Sequence, residues 1–164
     1  MGSLVKLIDP ILMFFWVILL IVVPFLDTQI FIPVKYYPRF LIQLNEWLVR
    51  ESGHYLMIEK PYFFMGIVFH DFAYQTPLVI CNFYGLLTSK PWLRTTLLIY
   101  GGSLTASLVP TLTEMVGSGR ASAKLLVIYG PYYAVGLLAT LRGLLTPHDL
   151  GKSPQMSANA KKHA

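Results

Sequence analysis

The sequence predicts an all-α membrane protein, with four transmembrane helices bundled around a ligand cavity and a short interfacial helix in the first loop. Three observations support this fold class. The chain of 164 residues is 55% hydrophobic and only 13% charged, whereas soluble domains carry about 25% charged residues. Its apolar residues are grouped in runs of about 20, the length that crosses a bilayer. Each run also contains a proline, which bends a helix.

Four spans follow from these runs. We place them at about residues 10–32, 62–87, 93–116 and 122–145. The prolines inside them are Pro24, Pro77, Pro110 and Pro131. A proline ring removes one backbone hydrogen bond and frees the carbonyl four residues earlier, which lipid cannot satisfy. One such proline would indicate only a kink for packing, but four favour a bundle bowed open around a cavity.

The loop between the first two spans, residues 33–60, contains an amphipathic segment. Its apolar side chains recur at helical spacing, with polar side chains opposite, and are Phe40, Leu41, Leu44, Trp47 and Leu48. This pattern is typical of a helix at the membrane interface. Such a helix can lie on the lipid or cap the bundle. We favour the cap, because the turn at residues 51–54 returns the chain toward the second span.

We interpret residues 1–150 as one transmembrane domain and residues 151–164 as a flexible cytosolic tail. With both termini on one side of the membrane, seven lysines and arginines outside the spans lie on that side and six on the other. The positive-inside rule therefore sets no orientation. Lys161 and Lys162 lie third and fourth from the end, as in the dilysine retrieval signal of endoplasmic reticulum membrane proteins. A solvated basic tail is the alternative. Since that signal is read on a cytosolic tail, it predicts a multi-pass protein of the endoplasmic reticulum with both termini in the cytosol.

Composition also excludes several functions. Cys81 is the only cysteine, so an intrachain disulfide and a cysteine-built zinc site are excluded. We expect no metal and no cofactor. The net charge of +5 comes from lysines and arginines that flank the apolar runs, where loop cations normally lie. It therefore does not indicate a nucleic-acid-binding protein.

Two acidic residues inside the predicted spans mark the candidate site. Asp27 lies in the first span and Asp71 in the second, and a carboxylate at membrane depth is costly and normally faces the bundle interior. At 1.5 Å per residue their depths differ by about 6 Å, which side chains can bridge. Two carboxylates there cannot both ionise at low cost, so we expect them to share a proton. Such a site suits a protonated amine on an apolar body, or the hydroxyl of a sterol.

Other polar side chains are placed to join the two acids. Gln75 follows Asp71 by four residues and shares its helical face. Ser107 belongs to a polar stripe on the third span, and Tyr129 and Tyr132 lie in the fourth. Each lone hydroxyl also has a simpler explanation as a helix contact, and each tyrosine as part of the aromatic belt.

Several motifs together resemble the sigma-2 receptor (transmembrane protein 97) family, within the EXPERA or emopamil-binding-protein superfamily. In chain order, the motifs are PFLDTQ at 24–29, FHDFAYQTP at 69–77, WLRT at 92–95, IY at 99–100, LVP at 108–110 and YGPY at 129–132. The first two are similar to the first and second helices of that family, and the others to its third and fourth. The resemblance covers nearly all of residues 10–145 and depends on the order and spacing of the motifs.

The resemblance implies a four-helix protein of the endoplasmic reticulum that binds sterols and cationic amphiphilic drugs and forms a homodimer. It also implies a role in cholesterol or sterol homeostasis. Carried over by position, Asp27 would face the ligand amine, and Asp71 would be the buried acid hydrogen-bonded to it. The other pocket residues would be Gln75, Ser107, Ile128, Tyr129 and Tyr132.

This chain departs from the family pattern at two positions. Asp71 stands where the family has glutamate, which is one methylene longer. His54 stands where the family has a second important aspartate, in the loop before the second helix. A histidine there changes the charge of the site, although it can still hydrogen-bond to Asp27.

Three functions stay open at this point. The favoured one is a non-enzymatic sterol-binding receptor or trafficking regulator, with membrane lipid around it. The second is an enzyme resembling the sterol double-bond isomerases of the same superfamily, in which His70, Asp71 and Asp27 would transfer protons. The fifth helix and the histidine–glutamate pattern of those isomerases are not found in this sequence. The third is a membrane scaffold whose acids serve only helix packing.

Overall fold

The computed structural model describes residues 2–145, and every regular element in that range is a helix. The helices are α1 (Gly2–Phe25), α2 (Arg39–Ser52), α3 (Tyr55–Glu59), α4 (Tyr62–His70), α5 (Thr76–Leu87), α6 (Leu93–Gly117) and α7 (Ala123–Leu145). Two 3₁₀ turns, Asp27–Ile30 and Val34–Tyr36, follow α1, and a π turn, Asp71–Gln75, joins α4 to α5. The predicted tail at 151–164, with Lys161 and Lys162, lies outside the described residues.

Among the described helices, three segments are long and apolar enough to cross a membrane. They are Leu4–Ile30, Tyr62–Leu87 and Ala123–Leu145, which correspond to the first, second and fourth predicted spans. The third predicted span is α6, whose 25 residues would extend about 37 Å. Glycine, serine and threonine dilute its apolar residues. Whether α6 crosses the membrane therefore stays a prediction.

The predicted prolines all lie within the long helical segments. Pro24, Pro110 and Pro131 are inside α1, α6 and α7. Pro77 is in the first turn of α5, where the missing N–H costs least. The π turn comes directly before it, and the Thr76 hydroxyl donates to the Asp71 carbonyl at 3.0 Å. This turn was not predicted, and π turns occur frequently at functional sites.

The core of the bundle joins α1, α5, α6 and α7 in one cluster of buried side chains, among them Trp16 and Tyr100, both 0% exposed. α6 and α7 approach most closely at two glycines. A Cβ atom on Gly101 would lie 2.6 Å from the carbonyl oxygen of Gly136. Small residues permit such close contact between helices in membranes.

The two ends of the bundle are closed differently. At one end, Arg142 near the end of α7 donates from Nε to Asp9 Oδ1 near the start of α1, at 2.5 Å. At the other end, α3 and the turns around it cover a second buried cluster that includes Leu56, Phe64 and Leu125. α1 and α7 therefore run antiparallel, and the second cluster lies where α1 ends and α7 begins.

The predicted interfacial helix is α2. Phe40 and Trp47 on its outer face are 65% and 58% exposed, whereas Val49 and Ser52 border the cavity described below. The helix thus presents apolar side chains outward and also closes one wall of the bundle interior.

Candidate functional site

A cavity of about 690 Å³ lies at the end of the bundle that α2 and α3 cover. Its walls come from all seven helices, from the first 3₁₀ turn and from the π turn. Most lining side chains are apolar, among them Leu19, Val23, Phe64 and Leu104. The volume falls within the range of small-molecule pockets, about 300–1,000 Å³.

Seven side chains in the lining carry polar groups suited to a ligand. They are Asp27, His54, Asp71, Gln75, Tyr100, Tyr129 and Tyr132. The sequence had proposed all of these except Tyr100 for a common site, together with Ile128, which also lines the cavity. Ser107 is not in the lining, and its hydroxyl donates to the Leu104 carbonyl of its own helix at 3.0 Å. Ligand binding by these residues stays a prediction.

Asp27 is positioned by the way α1 ends. α1 stops at Phe25, and Asp27 opens the following 3₁₀ turn. The Thr28 hydroxyl donates to the Pro24 carbonyl at 2.7 Å, and the Gln29 amide donates to the Phe25 carbonyl at 2.9 Å. These bonds satisfy carbonyls that the end of a helix leaves without partners. They fix the turn that brings Asp27 to the cavity. The sequence signal for this turn was the presence of two polar residues, Thr28 and Gln29, directly after the apolar run.

Asp71 enters the cavity from the first position of the π turn. Its Oδ1 atom lies 3.3 Å from Nδ1 of His70. Within residues 2–145, no hydrogen bond joins Asp71 to Asp27, although both line the same cavity. This differs from the direct bond that the family resemblance implied. The side chain of aspartate is one methylene shorter than that of glutamate, and the carboxylate of Asp71 bonds to the neighbouring histidine instead.

His54 closes the cavity wall between α2 and α7. Its Nδ1 accepts the Met57 amide at 3.4 Å as the N-cap of α3, and its Nε2 lies 2.9 Å from the Tyr129 hydroxyl. Burial lowers the pKa of His54 to about 4, so the ring is neutral near pH 7. Because Nδ1 is an acceptor, the proton lies on Nε2 and is donated to Tyr129. The sequence had suggested Asp27 as the partner of this histidine, and the structure assigns Tyr129.

Gln75 is a buried polar side chain in the lining without a hydrogen-bond partner among the described residues. It is 4% exposed, and neither its amide nitrogen nor its amide oxygen is paired. Tyr100 is 0% exposed and lies beside Trp16, with 5.9 Å between ring centres. Tyr100 was missed as a site residue. The available signal was its place in the buried stripe of α6, between Leu97 and Leu104.

Exposed ion pairs border the site on its outer side. Lys124 at the start of α7 pairs with Glu51 of α2, and both line the cavity. Arg120, before α7, pairs with Glu59 of α3 and lies over the Tyr55 ring at 4.3 Å. These contacts tie α2 and α3 to the start of α7. Within the described part of the chain, no group of three or more histidine, cysteine or acidic residues could hold a metal ion.

Known proteins match this chain over most of its length. Sigma intracellular receptor 2 of Macaca fascicularis and that of Homo sapiens are each 24% identical to it over 140 residues, which is 76% of this chain and 80% of the relative. A model of the EXPERA family (EXPanded EBP superfamily) matches residues 40–143, the region from α2 to α7. Because that match covers more than half of the sequence, the chain belongs to the EXPERA family.

Proposed function

We propose that this protein is a membrane receptor that binds a sterol or a cationic amphiphile in the cavity, without catalysing a reaction. The observation that carries the proposal is that Asp27 and Asp71 both line one largely apolar cavity. Each acid comes from a separate segment apolar enough to cross a membrane. Acids at such depth normally serve a ligand, an ion or a partner.

The cavity has the two properties that an amphiphile requires. Its aliphatic and aromatic walls suit a rigid apolar body, and the same lining holds two carboxylates and other polar groups that can bind a ligand head. The carboxylates can accept from an ammonium or a hydroxyl, and the Gln75 amide offers further hydrogen bonds that no described residue uses. A ligand hydroxyl or amine would satisfy groups that are otherwise costly to bury.

The setting of the site is part of the same proposal. α6 would be a fourth transmembrane helix. The resemblance to the sigma-2 receptor family supports a location in the endoplasmic reticulum with both termini cytosolic, a homodimeric assembly, and a role in sterol or cholesterol homeostasis or trafficking. The isomerase alternative has less support, because His70 is not among the residues that line the cavity.

Ligand binding tests the proposal directly. Purified protein in lipid nanodiscs would be titrated with radiolabelled cholesterol and with a radiolabelled tertiary-amine amphiphile. We expect saturable binding, and an affinity for the amine at least about tenfold lower in Asp27→Asn, since a hydrogen bond to a charged group contributes about 1.5–3 kcal/mol. Glu114→Gln is the matched control, because it makes the same charge change outside the cavity lining.

Three results would contradict the proposal. Absence of saturable binding to folded wild-type protein would exclude a receptor for these ligands. Unchanged affinity in a folded Asp27→Asn variant would support the scaffold, in which the acids serve packing. Conversion of a sterol double-bond isomer by wild-type protein, lost in Asp27→Asn, would instead support the isomerase.

A further inference from the structure

His70 lies outside the cavity lining but contacts the acid that lines it. Its Nδ1 is 3.3 Å from Asp71 Oδ1, and its Nε2 is 3.0 Å from the Ser103 hydroxyl of α6. The Tyr74 ring, one turn later, lies beside the imidazole with 5.3 Å between ring centres. The imidazole therefore bridges the second apolar segment and α6 directly behind Asp71.

The direction of these bonds follows from the chemistry of the groups. An ionised carboxylate only accepts hydrogen bonds, so toward the ionised form of Asp71 the Nδ1 atom of His70 is the donor. In the tautomer that has its proton on Nδ1, Nε2 accepts from the Ser103 hydroxyl. The result is a chain of two hydrogen bonds that ends on Oδ1 of Asp71. The other oxygen, Oδ2, has no hydrogen-bond partner among the described residues, and the Asp71 side chain lines the cavity.

A nucleophilic role for Ser103 does not fit this arrangement, although the order serine, histidine, aspartate occurs in hydrolases. Such enzymes need backbone N–H groups that stabilise an oxyanion beside the nucleophile. Ser103 lies well inside α6 (Leu93–Gly117), where the helix uses its own N–H groups. The arrangement of Ser103, His70 and Asp71 therefore lacks the oxyanion-stabilising N–H groups of a hydrolase site.

We propose that His70 is a positioning residue for the ligand site, which holds Asp71 by one oxygen so that the other faces the ligand. This rests on the proposed function. Asp71 opens a π turn, and its Oδ1 atom lies 3.3 Å from Nδ1 of His70. Ser103 on α6 in turn holds the imidazole through Nε2, at 3.0 Å.

Affinity measurements on four variants test this inference, with the same radiolabelled tertiary-amine amphiphile as probe. We expect His70→Ala to lower the affinity about fivefold, and Ser103→Ala to lower it about twofold, since each removes one bond of the chain. His70→Asn keeps a donor near the position of Nδ1 and should restore affinity to within about twofold of wild type. His70→Gln carries its amide farther out, toward Ser103, and should not restore the affinity.

A double-mutant cycle separates positioning from general support of the fold. If His70 acts through the carboxylate, His70→Ala will cause no further loss in an Asp71→Asn background. An equal loss in both backgrounds, or wild-type affinity in His70→Ala, would overturn the inference.

Thermal unfolding of each variant checks that it is folded. Failure of wild-type protein to bind would overturn the receptor function as well, whereas loss in Asp27→Asn with no effect of His70→Ala would overturn only the positioning role.

Discussion

The Nε2 atom of His54 lies 2.9 Å from the hydroxyl oxygen of Tyr129, which connects the turn between α2 and α3 to the cavity wall on α7. The imidazole is also held on its other nitrogen by the Met57 amide. Both nitrogens are thus used by a neutral ring, and a second proton on Nδ1 would displace the N-cap of α3. This contact makes the cavity wall sensitive to acid.

Stability should fall as the pH falls from about 6.5 to 4. The pKa of His54 is lowered from 6.5 to about 4 by burial, so in this window the unfolded chain binds a proton that the folded protein does not. By linkage the free energy of unfolding decreases, by about 2 kcal/mol at pH 5, and the loss levels off below pH 4. Above pH 7 the ring is neutral in both states and contributes no pH dependence.

Thermal unfolding at pH 7.5 and pH 5 measures this effect. His54→Gln is the comparison, because glutamine retains hydrogen-bonding groups but does not titrate. Its unfolding midpoint should drop less between the two pH values than that of wild type. Equal drops in both proteins would mean that other groups cause the acid sensitivity.

Tyr129→Phe should destabilise the protein by about 1–2 kcal/mol, because it leaves the buried Nε2–H of His54 without an acceptor. It should also weaken binding of cholesterol, since the Tyr129 hydroxyl proton is free to be donated to the oxygen of a ligand hydroxyl. Tyr133→Phe is the matched control on the same helix, because the Tyr133 hydroxyl makes no hydrogen bond among the described residues. Unfolding midpoints and ligand affinities of the two variants check both parts.

The sequence predicted the helical elements well, for a definite physical reason. An apolar run of about 20 residues has one stable structure in lipid, so three of the four predicted spans recur as membrane-capable segments. The burial cost of a carboxylate predicted that Asp27 and Asp71 face the interior, and the structure places both at one cavity.

The partners of the site residues were less predictable, because they depend on helix rotation and on local backbone. The π turn at Asp71 has no sequence signature apart from the nearby proline, and it determines which side chain lies behind the carboxylate. His54 and Tyr129 are 75 positions apart, and no spacing rule relates them. Ser107 was assigned to the pocket by family resemblance, but its hydroxyl bonds within α6.

Gly101→Ala should disrupt the contact between α6 and α7. A Cβ atom there would lie 2.6 Å from both the Gly136 carbonyl oxygen and the Thr140 amide nitrogen. Backbone cannot move aside as a flexible side chain can, so we expect a loss of about 2–3 kcal/mol or failure to fold. Gly102→Ala is the control, because nothing lies within 4 Å of its Cβ position, and alanine there should stabilise slightly. Similar midpoints for both variants would show that the two helices do not pack closely at Gly101.

The ion pair between Asp9 and Arg142 should contribute more to stability than the pair between Glu51 and Lys124. The Arg142 and Asp9 side chains are only 11% and 24% exposed, and the guanidinium donates to both carboxylate oxygens. Asp9→Asn removes the charge from a sheltered site and should cost about 2 kcal/mol. Glu51 and Lys124 are 56% and 66% exposed, so Glu51→Gln should leave the unfolding midpoint unchanged within error. Both substitutions turn an acid into its isosteric amide, so the difference between their midpoints isolates the effect of burial. Equal midpoints would mean that the Asp9 contact does not hold α1 to α7.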